Sequence, residues 1–128
     1  MLEKFKDRIP DVAPSSYVHE SAHVIGDVTL QENTSVFAGA VIRGDNKPIF
    51  IGANSNIQEN AVLHEETKIG NFVTVGHAAI VHGAVIEDNC LIGMGAIILD
   101  GSIIGKGSII GAGCVIPPNK NIPPLSVV

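Results

Sequence analysis

Three of the five histidines in this chain, His64, His77 and His82, fall within the stretch VLHEETKIGNFVTVGHAAIVHG at positions 62–83. Neutral imidazole is the commonest protein ligand for transition metals, so three in one short stretch raise the question of a shared ion. His64 follows Leu63 and His82 follows Val81, and the two stand 18 residues apart. His77 sits differently, two residues after Val75. Whether one ion can hold all three depends on the element that carries them.

That element is a repeat. Every sixth residue from Val12 reads Val12, Val18, Val24, Leu30, Val36 and Ile42. A nine-residue step leads to Ile51, Ile57, Leu63, Ile69, Val75 and Val81, and a five-residue step to Ile86, Ile92, Ile98, Ile104, Ile110 and Ile116. All eighteen positions are Val, Ile or Leu, although those types make up only 38 of 128 residues, so the period is not chance. Four residues after the aliphatic a slim residue recurs in most units: Val28, Thr34, Ala40, Ser55, Ala61, Thr67, Val73, Ala79, Val85, Cys90, Ala96, Ser102, Ser108 and Cys114. Gly often follows the aliphatic, as at Gly52, Gly70, Gly76, Gly93, Gly105 and Gly111.

Six residues are too few for a capped helix, and β-branched side chains favour extended chain. Short strands broken by turns and wound into a parallel β-helix satisfy both, with the aliphatic and slim columns pointing inward. The composition agrees: 14 Gly, 4 Phe, 1 Tyr and no Trp describe a narrow core filled by branched aliphatics. Cys90 and Cys114 are expected as core filler, since a free thiol packs like a small hydrophobe. The beat resembles that of hexapeptide-repeat proteins, which implies three hexapeptides per turn, a left-handed coil and an 18-residue vertical period. The reading is then all-β, a single domain over 1–128. It has a lead-in or cap at 1–11, about six turns over 12–116 and a tail at 117–128.

On such a coil His64 and His82 lie on one face in adjacent strands, ~4.8 Å apart. That spacing suits two imidazole nitrogens at ~2.0–2.1 Å from one zinc ion. His77 falls on the preceding face, separated from His82 by about 13–16 Å of extended chain. It is not expected to meet the pair within one chain. A three-fold trimer would bring the His77 edge of one subunit against the His64/His82 edge of the next. The predicted site therefore lies between subunits, with three His ligands and an open position, the pattern of a catalytic zinc. His19 and His23 have no such partner and read as solvated surface. Glu65 and Glu66 read as a solvated acidic turn.

Lys and Arg total 8 against 13 Asp and Glu, a net charge of −5 with no basic run, which argues against nucleic acid or an anionic membrane as partner. No apolar run is long enough to span a bilayer, and MLEKFKDRIP lacks the apolar core of a secretion signal, so a cytoplasmic location is the expectation. Two cysteines make no disulfide framework.

The segments VIRGDNKPIFIGANSNIQENAVLH, TVGHAAIVHG and IGMGAIILDG together resemble the γ-class carbonic anhydrases. That resemblance covers roughly residues 10–120. It implies Zn²⁺, Fe²⁺ or Co²⁺ bound by His64, His77 and His82, one ion per subunit interface of a homotrimer. A hydroxide on that ion would hydrate CO₂ reversibly to bicarbonate. The resemblance also implies that Arg43 and Asp45 tie neighbouring subunits together beside the metal. Gln58 would contact the reacting oxygen, and Asn56 would help to orient it. The repeat phase puts Arg43 in one column with His64 and His82, and Gln58 beside His77.

Three departures bear on activity. Asn46 stands where the strongly active prototype has an acidic residue after the Arg-x-Asp element. Only 12 residues separate His64 from His77, so the long acidic loop credited with proton transfer is missing. The usual C-terminal α-helix does not follow IPPNKNIPPLSVV. Weak CO₂ hydration is the expectation. The alternatives are an acyltransferase or thioesterase acting on a coenzyme A ester, or a catalytically silent metal-binding trimer.

Overall fold

Strands recur at the six-residue beat because each hexapeptide supplies one aliphatic for the inside and a turn to leave by. The computed structural model covers residues 1–128 and contains strands and turns but no helix. Asn56–Ile57, Thr74–Val75, Leu91–Ile92 and Ile109–Ile110 stack in parallel as part of a six-stranded sheet. A 12-stranded sheet wraps the other two faces, running through Ile97–Ile98, Ile80–His82, Val62–His64, Val41–Ile51, Thr67–Ile69, Val85–Ile86 and Ile103–Ile104. The long strand Val41–Ile51 belongs to both of those faces, because its first residues pair with Val62–His64 and its last with Thr67–Ile69. Asn56 pairs with Thr74 after two intervening strands, so three hexapeptides complete one turn.

The inward column is the core. Of the eighteen repeat aliphatics all but Val12 and Val18 are buried, and those two pack on the core from the N-terminal end. Each buried side chain of this kind contributes roughly 1.5–3 kcal/mol relative to exposure, most of it offset by chain ordering. The slim column also points inward, with one exception. Val85 faces outward and Ala84 takes its place in the core. The five-residue step from Val81 to Ile86 removes one corner residue, so counting four forward from Val81 overshoots by one.

Buried hydroxyls in the slim column clamp successive turns. Ser55 Oγ donates to the Gly70 carbonyl at 2.7 Å and accepts from Val73 N–H at 3.0 Å. Ser102 and Ser108, one hexapeptide apart in the coil's last turns, repeat this pattern with the carbonyls of Pro117 and Pro123. A buried hydroxyl without partners would destabilise the coil, whereas here each one is satisfied across the stack.

The coil makes about seven turns, one more than the eighteen repeat units alone supply. Residues 117–128 continue it: Asn121–Ile122 pairs with Ile103–Ile104, and Val127 bridges Ile109. At the other end Leu2–Glu3 pairs with the strand His23–Leu30 and lies over the first coil.

Candidate metal centre

The long strand carries the feature that builds the site. Its partner strand His23–Leu30 stays in register through Gly26 and Gly44, then resumes at Val28 and Ile49. Residues 45–48 therefore face the single residue Asp27, and the surplus chain bulges outward. This bulge accounts for the nine-residue step in the repeat. It delivers Asp45 and Asn46 to the corner where the next two turns place their histidines.

Arg43, His64 and His82 are in register on three successive strands. The His64 and His82 rings lie 5.2 Å apart, centre to centre, at 70°. Thr67 pins the corner between them: its hydroxyl donates to the His64 carbonyl at 2.9 Å and accepts from Gly83 N–H at 3.1 Å. The predicted column is thus present, with both imidazoles half-buried.

Each candidate ligand has a carboxylate. Asp45 Oδ1 lies 3.1 Å from His64 Nε2, Asp100 Oδ1 2.6 Å from His82 Nδ1, and Glu59 Oε1 3.0 Å from His77 Nδ1. At His82 and His77 the carboxylate sits on Nδ1 and leaves Nε2 open, the arrangement that usually supports metal-ligating histidines, whereas Asp45 occupies Nε2 of His64 itself. Asp45 also accepts from Arg43 Nη1 at 2.8 Å. Burial alone would push the Asp45 carboxyl up, but hydrogen bonds from His64 and Arg43, with their charges, outweigh it and hold it below the ordinary carboxylate value.

Ligand atoms of His64, Glu65 and His82 all lie within 4.8 Å of one another. His77 is outside this group; it projects from the corner after Thr74–Val75, with 56% of its side chain exposed. The separation expected from the spacing is therefore found within the chain. Glu65 was expected in a solvated turn, and here the structure differs. It is half-buried, and both of its carboxylate oxygens accept from Asn46 Nδ2, at 3.2 and 3.1 Å. The bulge supplies the hydrogen-bond donor that draws it in. Glu66, its neighbour, is exposed.

Gln58 and Asn56 lie on another face. Asn56 Nδ2 donates to Thr74 Oγ1 at 3.1 Å, and Asn56 Oδ1 is buried without a partner. Gln58 is half-buried and precedes Glu59, the residue paired with His77. Asp100 and Glu59 were missed by reading the sequence, yet a signal existed. Asp100 lies one 18-residue turn after His82, and Glu59 one turn before His77.

The donor chemistry fits a divalent first-row ion: imidazole nitrogens with their tautomers set, beside one carboxylate. His64 and His82 are the residues able to hold it within this chain, with Glu65 at the same corner.

Comparison with known proteins agrees with the coil. Residues 83–118 match the family model described as bacterial transferase hexapeptide (six repeats). A carbonic anhydrase of Geobacillus kaustophilus is 44% identical over 80 residues, which are 59% of this chain and 44% of that protein. The mitochondrial gamma carbonic anhydrase 1 of Arabidopsis thaliana is 39% identical over 80 residues, 55% of this chain and 29% of that one. The chain thus spans less than half the length of these curated relatives. A solved structure of a hexapeptide transferase family protein from Anaplasma phagocytophilum superimposes with a TM-score of 0.94 at 35% identity, covering 96% of this chain and 75% of that one. By its repeat, its coil and the Anaplasma phagocytophilum structure, the chain belongs to the hexapeptide transferase family of hexapeptide-repeat proteins, and over part of its length it is similar to γ-class carbonic anhydrases.

Proposed function

We propose that the protein is a γ-type carbonic anhydrase that hydrates CO₂ reversibly to bicarbonate, with Zn²⁺, Fe²⁺ or Co²⁺ at the interface of a homotrimer. The observation that carries this reading is the register of His64 with His82, each backed by a carboxylate. His64 and His82 bind the ion from one subunit, and His77 reaches it from a neighbouring one. Asp100 and Glu59 orient the rings of His82 and His77 through Nδ1, while Asp45 stands at Nε2 of His64 and yields that nitrogen to the ion. Arg43, bound to Asp45, ties the adjoining subunits, Gln58 directs a hydrogen bond to the reacting oxygen, and Asn56 helps to orient it. A divalent ion held there supplies Lewis-acid activation of water, lowering its pKa to ~7. Assembly has support in the outward residues of the histidine-bearing face. Val41, Val62, Ile80, Ile97 and Val115 form one apolar column beside the histidines, and Val115 is 57% exposed.

The test is metal analysis of anaerobically purified protein followed by stopped-flow CO₂ hydration on the same sample. The expected result is one ion per chain and a hydration rate that His64→Ala abolishes. A metal-free protein, or a rate unchanged by His64→Ala, would overturn the reading. A second reading, acyl transfer from coenzyme A, is favoured by the transferase family name of the solved relative. It predicts acetyl-group transfer from acetyl-CoA that is indifferent to chelators.

A further inference from the structure

We propose that His64, Glu65 and His82 form a divalent-cation site complete within one chain, with Glu65 as its third donor. The inference rests on the metal reading of this corner but removes its dependence on His77 for retaining the ion. The three ligand atoms already lie within 4.8 Å of one another, and the nearest Glu65 oxygen is 3.8 Å from His64 Nε2. His82 Nδ1 is occupied by Asp100, which leaves Nε2 as the nitrogen of that ring available to a cation. Two neutral imidazoles and one carboxylate are a common donor set for a divalent first-row ion, with positions left over for water or substrate.

The backbone shows that Glu65 is costly where it stands. It has φ +60°, a left-handed conformation, immediately after His64. The residue after His82, at the matching corner one turn on, is Gly83 with φ +65°, and the next such corner uses Gly101 with φ +78°. Glycine adopts that conformation freely, and a glutamate does not. Asn46 holds the glutamate carboxylate through both oxygens, and Asn46 is itself delivered by the bulge at residues 45–48. Asn46 thus holds the carboxylate at the corner where its nearest oxygen stands 3.8 Å from His64 Nε2. A cation on His64 Nε2 takes the place of the proton shared there with Asp45, which keeps Arg43 as its other partner.

The experiment is a Co²⁺ titration of the full chain, followed by visible absorption and equilibrium dialysis, for wild type, His77→Ala, and His77→Ala combined with Glu65→Gln or Glu65→Gly. His77→Ala is expected to bind one Co²⁺ per chain within about tenfold of wild type. Adding either Glu65 change should weaken Co²⁺ by more than the roughly 10–100-fold that loss of an outer-sphere partner costs, and should alter the visible spectrum. Glu65→Gly suits the left-handed corner, so its loss of affinity cannot be assigned to misfolding. Loss of stoichiometric Co²⁺ in His77→Ala would overturn the inference, as would unchanged affinity and spectrum on removing Glu65. A wild-type chain that binds no Co²⁺ would instead overturn the metal reading itself.

Discussion

The Asp100 carboxylate stands 2.6 Å from Nδ1 of His82, one turn further along the coil. A carboxylate only accepts, so Nδ1–H is the donor and the lone pair of the ring lies on Nε2. Asp100→Asn leaves a side chain of the same shape that holds the tautomer less firmly. Metal affinity is expected to fall about 10–100-fold, measured by competition with a chelator. The melting temperature should barely move, because the Asp100 side chain is 57% exposed and an exposed pair contributes little to stability.

Asp45 carries a pH dependence of definite sign. Its carboxyl is held below the ordinary value of 3.8, so the folded chain binds that proton less readily than the unfolded one. The stabilisation is complete above 3.8 and disappears as the pH drops through the lower folded value. Thermal melts of Asp45→Asn and wild type should differ by a constant amount from neutrality down to about the ordinary value of 3.8 and converge only as the pH falls from there through the lower folded value. A gap that stays constant through that fall would mean that the Asp45 charge does not stabilise the fold.

Much of this was legible from spacing alone. The six-residue beat located the buried aliphatics because a narrow prism leaves each hexapeptide only one deep inward position. The 18-residue offset placed His64 over His82 for the same reason. What spacing hid were the corners, where the period breaks. The nine-residue step announced surplus chain near residue 45 without revealing that the bulge would aim Asn46 at Glu65. The five-residue step hid the exchange of Val85 for Ala84. Side-chain direction at a corner depends on which residue takes the left-handed conformation, and hexapeptide spacing is silent about that.

Two neighbouring glycines should separate close packing from backbone conformation. A Cβ on Gly93 would meet Ala112 N at 2.5 Å and the Ile110 carbonyl oxygen at 2.7 Å, both main-chain atoms of the next turn. A Cβ on Gly95 meets nothing within 4 Å, but its φ of +70° disfavours any side chain. Gly95→Ala is expected to cost about 1–2 kcal/mol through conformation alone. Gly93→Ala must push two turns apart, an overpacking cost of about 1–3 kcal/mol or more. Gly95→Asn, which tolerates the left-handed region, should recover part of the loss, whereas Gly93→Asn should not. Urea denaturation of the four variants would measure each difference.

The two thiols should report separately on the core and on the last coil. Cys90 is 2% exposed, and burial pushes its thiol up, with the nearby Glu87 and Asp88 adding to the rise; backbone hydrogen bonds from Ser108 and Gly107 offset part of it. Its Sγ lies 3.2 Å from the Gly105 carbonyl oxygen, so the proton has an acceptor inside the coil. Cys114 is only partly buried, near the end of the coil beside Val128. Because the thiolate is the reactive form, native protein at neutral pH should give one promptly titrating thiol, Cys114, with a disulfide reagent. Cys90 should react only at the rate of opening of the coil, and urea should bring both thiols to the same rate. Cys114→Ser should therefore remove the prompt phase entirely, while Cys90→Ser should leave it intact. Prompt labelling of Cys90 in the folded chain would contradict a coil closed around it.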